Sequence, residues 1–219
     1  MKVAIMQPYF IPYIGYFQLI NSVDTFVIYD NIKYTKKGWI NRNRIMVNGK
    51  PDYVTIPIEN ASDYLDIGDR RWTGEYIKIY NKIWNNYKKT PFFDETEVIL
   101  KYILSYQNRN LFGYIATGVK RICDYLDIQT EFIISRDVPI DHSLKCTNKV
   151  LAICKELKAD TYINAIGGKE LYDKDVFESF GIDLKFIRNT HENTLSIIDV
   201  LMRNGKEKTK ELLKECVYE

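Results

Sequence analysis

The chain has 219 residues, the size of one domain or of one domain with a small annex. Its 31 Lys and Arg against 29 Asp and Glu give a net charge of +2, which argues against a histone-like polyanion binder. Apolar residues make up 46% and charged residues 27%, which excludes disordered and collagenous classes. The 17 tyrosines combine apolar rings with polar tips and favour a half-open, polar-lined site.

Cysteine and histidine usage argues against a metal centre. The four cysteines are scattered without a C-x-x-C pair, and His142 and His191 are the only histidines, so we expect reduced thiols and no metal.

Val3–Val23 carries no charge and is long enough to cross a membrane. Pro8 and Pro12 would break a spanning helix there, so we expect no membrane span and a cytoplasmic protein.

Apolar periodicity predicts the elements of the first half of the chain. In chain order these are a strand at Lys2–Met6, a helix at Tyr13–Asn21, a strand at Thr25–Tyr29, strands at Ile45–Val47 and Tyr53–Ile58, and a helix at Gly74–Tyr87. Asn48-Gly49 between apolar runs indicates a hairpin.

The second half reads as alternating helices and strands. The predictions are a helix over Leu111–Leu126, a strand at Glu131–Ile134, a helix capped by Thr147 or Asn148, a strand at Thr161–Asn164, a helix at Asp173–Phe180, a strand at Asp183–Ile187, a helix from Asn193 or Thr194 to Arg203, and a tail helix at Lys206–Glu219. Gly205 separates the last two helices.

Alternation of strands and helices at both ends of the chain predicts an α/β fold with a mostly parallel sheet flanked by helices. The hairpin and helices between about 45 and 110 would form an insertion, and 206–219 a tail helix. We therefore predict a single α/β domain over 1–219. Because ligands bind outside the carboxyl ends of parallel strands, the segments that follow the strands are the candidate site.

The first strand runs into a proline-ordered loop that contains Gln7, and then into a helix with Gly15 in its first turn. A small residue at a helix N-terminus lets a phosphate or carboxylate approach backbone N–H groups. Tyr13-Ile14-Gly15-Tyr16 resembles the HIGH signature of adenylyl-transferring enzymes of the nucleotidyltransferase class, with tyrosine for both histidines. The alternative is a rigid proline turn and a packed aromatic helix.

A basic stretch follows the second strand. Lys33 to Arg44 contains five cations and no acid, with Trp39 among them. Cations suit phosphate, an aromatic plane suits a base or sugar, and amides suit ring hydroxyls. The candidate residues for binding such a ligand are Lys37, Trp39, Asn41, Arg42, Asn43 and Arg44. The alternative is a solvated basic loop, and five cations are too few to favour long duplex nucleic acid.

Two later strands also end in candidate residues. Gly167 and Gly168 permit backbone approach to a ligand, although a plain turn fits equally well. His191 lies at a strand-to-helix turn and could act as a general base near neutral pH, or simply lie at the surface.

Four segments together resemble the WbqC-like proteins, a bacterial family encoded among O-antigen and other surface-polysaccharide genes. They are Met6–Phe17, Asp30–Ile45 with its Asn-Arg-Asn-Arg run, Thr161–Asn164 before Gly167-Gly168, and Leu195–Asp199 before Asn204-Gly205. Members often have Ser-Gly at the end of the third segment, where this chain has Asn164-Ala165.

The resemblance implies transfer of glycine or another aminoacyl group to an amino sugar. On that basis we expect an amide-forming transferase that takes a nucleotide-linked amino sugar and an aminoacyl donor. Asp30 would orient or deprotonate the amine, Lys37, Arg42 and Arg44 would hold the diphosphate, and Trp39 would stack on base or sugar.

Alternatives to this transferase are an ATP-dependent, adenylate-forming ligase, a noncatalytic nucleotide-sugar binding module, and a single-stranded nucleic-acid binder. ATP and a nucleotide-linked sugar are accordingly the candidate small-molecule substrates. A homodimer is the candidate assembly.

Overall fold

The structure is a computed structural model that describes residues 1–191 and 194–219. Its strands are β1 (Lys2–Met6), β2 (Thr25–Ile28), β3 (Arg42–Val47), β4 (Lys50–Thr55), β5 (Glu131–Ile134), β6 (Thr161–Ala165), β7 (Asp183–Asn189) and β8 (Cys216–Tyr218). Its helices are α1 (Ile14–Asn21), α2 (Ile77–Tyr87), α3 (Phe93–Leu104), α4 (Leu111–Tyr125), α5 (Cys146–Glu156), α6 (Lys174–Ser179) and α7 (Ile197–Leu212).

The central sheet has the order β5-β2-β1-β6-β7-β8, and its first five strands are parallel. Strand β8 closes one edge and runs antiparallel to β7. The predicted α/β class with a mostly parallel sheet is confirmed. Strands β2 and β5 lie on one side of β1, whereas β6 and β7 lie on the other, so the order reverses between β1 and β6.

Alternating side chains explain why helices cover both faces of the sheet. Val3 and Ile5 of β1 are buried in one apolar cluster, together with residues of α5 and α6. Ala4 is buried in the other, together with residues of α1, α4 and α7. Period-two alternation of buried residues places one apolar set on each face, and each set needs its own layer of helices.

The predicted hairpin is β3–β4, which forms a separate two-stranded sheet. Its turn places Asn48 at φ 49° and Gly49 at φ 79°, the pair of positive φ values that a type I′ turn requires. The hairpin and helices α2 to α4 all lie between β2 and β5, and α4 extends this segment beyond the predicted end at about 110.

Two predictions at helix ends are wrong in detail. The residue preceding α5 is Lys145, not Thr147 or Asn148. Helix α7 is capped by Ser196, whose Oγ accepts from Ile198 N at 3.2 Å, and not by Thr194. Asn193, the other predicted cap, lies outside the described residues.

The carboxyl-terminal tail also differs from the prediction. The backbone breaks at Gly205, with φ 71°, as predicted. The following helix ends at Leu212, and the short strand β8 occupies part of the predicted tail helix 206–219. A three-residue edge strand is too short to leave a periodic pattern in the sequence. Across 1–191 and 194–219, no helix combines the length and apolarity needed to cross a membrane.

Candidate functional site

A cavity of about 520 Å³ opens where the strand order reverses. Strand β1 stays paired with β2 as far as Met6–Ile28, but its pairing with β6 ends at Val3–Tyr162. The carboxyl halves of β1 and β6 therefore separate and leave a crevice between them. This is the topological switch point at which open α/β sheets bind ligands.

Residues that follow three strands line this cavity. From the β1 side come Gln7, Tyr9, Tyr13, Gly15 and Tyr16; from beyond β2 come Tyr29, Ile32 and Trp39; from beyond β6 come Asn164, Gly167, Gly168, Leu171 and Tyr172. The structure thus brings together the predicted binding residues of the first loop, Trp39 and the Gly-Gly pair.

The titratable lining of this cavity is tyrosine. Burial raises the pKa of Tyr13 above the usual 10.0, and burial followed by proximity to Tyr13 raises the pKa of Tyr9. Burial also raises the pKa of Tyr29 and of Tyr172. These phenols keep their protons at neutral pH and can donate hydrogen bonds to sugar hydroxyls or to a developing negative charge.

A second cavity of about 300 Å³ adjoins the first and shares Tyr9, Tyr13 and Trp39 with it. Its own lining adds Asn43, Arg44 and Thr194. These three shared residues border both spaces, so one elongated ligand could occupy both.

Arg44 gives the second cavity its charge. Its Nη2 donates to Thr194 Oγ1 at 2.8 Å, and its guanidinium lies 5.4 Å from the centre of the Trp39 ring. Its Nε is buried and has no hydrogen-bond acceptor among the described residues. A buried, unsatisfied N–H is costly, and an anionic ligand oxygen in this cavity would satisfy it.

The HIGH-like turn is packed rather than open. A Cβ at Gly15 would collide with the Tyr13 ring, so glycine is needed for that ring to cover the first turn of α1. Tyr16 is buried, and its hydroxyl donates to Gln7 O at 2.8 Å. The predicted phosphate approach at Gly15 is therefore restricted by the Tyr13 ring.

The two predicted catalytic residues line neither cavity. Asp30 is 2% exposed, and its Oδ1 accepts from Ser135 Oγ at 2.9 Å and from Arg136 N at 3.1 Å, while Oδ2 forms an ion pair with Arg136 Nε. The Nε2 of His191 lies 3.1 Å from Glu215 Oε2.

Much of the basic stretch is engaged within the hairpin region. Arg42 Nε donates to Gly38 O at 3.0 Å, and its Nη2 donates to Lys37 O. Asn41 accepts from Tyr34 Oη at 2.8 Å and donates to Ile56 O at 2.9 Å. Lys37, Asn41 and Arg42 line neither cavity.

The Gly-Gly pair belongs to a short 3-10 helix at Ile166–Leu171. A Cβ at Gly167 would meet no heavy atom within 4 Å, whereas one at Gly168 would lie 2.7 Å from Asn164 Nδ2. Gly167 thus leaves open space beside the cavity, and Gly168 allows the Asn164 side chain to pack against the turn.

Comparison with known proteins gives a family match over most of the chain. The sequence model of the WbqC-like protein family matches residues 7–211. The chain belongs to this family. It is also similar to Rv1507c, an uncharacterized protein of Mycobacterium tuberculosis, with 28% identity over 233 aligned positions that cover 98% of each chain. No solved structure gives a significant match.

The four segments that carry the WbqC-like resemblance meet around the two cavities. The first supplies Tyr9 and Tyr13, the second Trp39 and Arg44, and the third the Gly-Gly pair. The fourth reaches the same place through Ser196, which bonds to Ile11 in the first segment.

Several lining residues were missed by sequence reasoning. Tyr29 directly follows β2, so the strand-end rule alone would have found it. Tyr9 lies within the first motif but was not selected. Tyr172 lies in the segment that follows β6, which the same rule covers, whereas Thr194 reaches the second cavity through tertiary packing and no local pattern marks it as a lining residue.

Proposed function

We propose that this WbqC-like protein binds a nucleotide-linked amino sugar in the two joined cavities and transfers an aminoacyl group, such as glycyl, to the sugar amine. The observation that carries the proposal is the pairing of a tyrosine-lined cavity with a second one that holds the unsatisfied Arg44 Nε. Phenol donors suit a hydroxyl-rich sugar, and a guanidinium suits a phosphate oxygen. Trp39, at the junction, would stack on the base or sugar.

The proposed reaction forms an amide from a pre-activated donor. The amine nitrogen of the sugar attacks the carbonyl carbon of an aminoacyl ester or thioester, forming the C–N bond. The C–O or C–S bond then breaks, and the amine proton leaves with the departing alcohol or thiol. The protonated phenols of Tyr9 and Tyr13 would stabilise the intermediate oxyanion as hydrogen-bond donors.

Asp30 and His191 have no role in this proposed step. Asp30 would have to give up Arg136 and Ser135 before it could accept a proton, and it lies outside both cavities. We assign Asp30 instead to structural support, because it ties the end of β2 to the segment that follows β5.

Adenylate formation is the weaker alternative, because it would need the two tyrosines of the HIGH-like turn to contact a triphosphate. Tyr16 is buried and bonded to Gln7 O, and the Tyr13 ring covers Gly15. A noncatalytic binding module would use the same cavities and differ only in lacking turnover.

The test has two stages. Nucleotides and nucleotide-linked sugars, with and without an amine, are screened by thermal shift, where a bound ligand stabilises by RT ln(1 + [L]/Kd). We expect nucleotide-linked amino sugars to raise the Tm most. A sugar that binds is then incubated with aminoacyl esters and thioesters, and mass spectrometry should detect a product heavier by one aminoacyl unit. No Tm shift at millimolar ligand would reject the proposal, and binding without product would favour the binding module.

A further inference from the structure

The loop that carries Tyr9 and Tyr13 contains a strained residue. Ile11 is 3% exposed and has φ 36°. A β-branched residue at positive φ is a genuine outlier, because its Cβ crowds the backbone, and it persists only where the surroundings hold it.

Two side chains from other segments hold this loop. Asn43 Nδ2 donates to Phe10 O at 3.1 Å and to Ile11 O at 3.0 Å. Ser196 Oγ donates to the same Ile11 O at 2.7 Å. The next carbonyl, that of Pro12, accepts from Ile197 N at 2.7 Å. Three consecutive carbonyls are thus bonded from the hairpin and from the start of α7.

The orientation of the Asn43 amide is set by a further bond. Its Oδ1 accepts from Arg44 N at 2.8 Å, which leaves Nδ2 as the group that faces the two loop carbonyls. Arg44 O in turn accepts from Ser196 N at 2.8 Å. The same backbone segment therefore holds the strained loop and carries the guanidinium of the second cavity.

We propose that Asn43 and Ser196 are positioning residues that force Ile11 into its strained conformation and so place Tyr9 and Tyr13 at the junction of the two cavities. This inference rests on the proposed function, because it assigns the junction to a ligand that spans both spaces. Asn43 lines the second cavity, but its Nδ2 and Oδ1 are both engaged in these bonds, so it acts through the two tyrosines and not as the direct ligand predicted from the sequence.

The test removes the Nδ2 donor of Asn43 and keeps its Oδ1 acceptor. Asn43→Asp retains Oδ1 but turns a carboxylate oxygen towards two carbonyls. Asn110→Asp is a matched control, because Asn110 Nδ2 also donates to a carbonyl, Gly68 O at 2.6 Å, and its Oδ1 also accepts a backbone N–H, that of Gly113 at 2.7 Å. Asn110 lines neither cavity.

Two measurements distinguish a positioning role of Asn43 from a general loss of protein stability. Hydrogen exchange of the free protein should show faster exchange at the amides of Phe10 and Ile197, which donate to Trp39 O and Pro12 O, in Asn43→Asp and wild-type rates there in Asn110→Asp. UDP-glucosamine, used as the probe, should bind Asn43→Asp at least about tenfold more weakly and Asn110→Asp about as well as wild type.

Wild-type exchange rates in Asn43→Asp would overturn the positioning role. Failure of UDP-glucosamine to bind the wild type would count against the proposed sugar class. The hydrogen-exchange rates would then decide alone whether Asn43 positions the loop. If Asn43→Asp does not fold, Ser196→Ala takes its place, and Ser196→Thr should restore loop protection because it keeps the hydroxyl.

Discussion

Tyr87 Oη donates to Asp199 Oδ1 at 2.6 Å and accepts from Met46 N at 2.8 Å. One phenol therefore joins α2 and α7 to β3, two residues beyond Arg44. Burial, followed by the bond to Asp199, raises the pKa of Tyr87. The hydroxyl is protonated across the physiological range and serves as a permanent link between the helices and the hairpin.

Tyr87→Phe should lower the free energy of unfolding by about 1–3 kcal/mol, because Met46 N and Asp199 both lose this partner in a buried site. Urea unfolding measures the loss. Tyr80→Phe, on the same helix, removes a bond to Glu97 at 2.5 Å near the surface and should cost less than about 1 kcal/mol. Equal costs for the two variants would argue against the Tyr87 link.

The strain at Ile11 predicts a reversed preference between alanine and glycine. At ordinary positions glycine is less stable than alanine by about 0.5–1 kcal/mol. Because Ile11 has φ 36°, Ile11→Gly should be more stable than Ile11→Ala by about 1 kcal/mol, although both lose the buried side chain. Urea unfolding measures the difference between the two variants. An Ile11→Ala variant more stable than Ile11→Gly would exclude backbone strain at Ile11.

Gly167 and Gly168 should respond differently to an added methyl. Gly167→Ala meets open space and should change the free energy of unfolding by less than about 0.5 kcal/mol, while weakening binding of UDP-glucosamine. Gly168→Ala would press on Asn164 Nδ2 and should destabilise by about 1–3 kcal/mol. Calorimetric titration and urea unfolding separate the effects. Unchanged ligand affinity in Gly167→Ala would remove this turn from the proposed site.

Asp30→Asn tests whether the aspartate is structural or catalytic. The loss of the charged bond to Arg136 should lower the free energy of unfolding by about 1.5–3 kcal/mol, while ligand affinity and turnover of the folded fraction stay at wild-type levels. A large loss of turnover with unchanged stability would instead restore the catalytic role predicted from the sequence.

Buried thiols and phenols predict a loss of stability at alkaline pH. Burial raises the pKa of Cys154 from 9.0 to about 12 and also raises the pKa of Tyr16 and of Tyr162. The folded state therefore holds these protons more tightly than the unfolded state does. Their stabilisation is complete below about pH 9 and is lost as the pH rises towards the folded-state values. Urea unfolding at pH 8 and pH 10.5 should show the decline, and Cys154→Ala should reduce its slope. An equal free energy of unfolding at pH 8 and pH 10.5 would contradict the raised pKa of these buried groups.

Local sequence patterns were enough to predict much of the fold. Strand β1 has its predicted bounds, and Asn48-Gly49 and Gly205 mark the hairpin turn and the helix break because both require positive φ. The cap of α7 was misplaced because Thr194 and Ser196 are both good capping residues, and tertiary bonds to Ile11 select Ser196.

The sequence predicted the place of the cavity better than the residues that line it. The strand-end rule points to the cavity where the strand order reverses, and Trp39, Tyr13 and Gly167 lie there. The rule could not separate Arg44, which lines a cavity, from Arg42, which is bonded to the preceding loop, because both arginines lie at alternate positions of the same strand, β3. Whether Asn43 contacts a ligand or a loop depends on a chain segment more than thirty residues away.

The most direct test of the account is calorimetric titration of UDP-glucosamine into wild type, Arg44→Gln and Arg71→Gln at one ionic strength. Arg71 forms a surface pair with Glu59 at 3.6 Å and matches the charge change while lining neither cavity. We expect Arg44→Gln to weaken binding at least about tenfold, as loss of a charge-assisted bond to a phosphate would, and Arg71→Gln to leave it within about twofold. Equal affinities for Arg44→Gln and wild type would contradict the central claim that Arg44 receives the phosphate of a nucleotide-linked amino sugar.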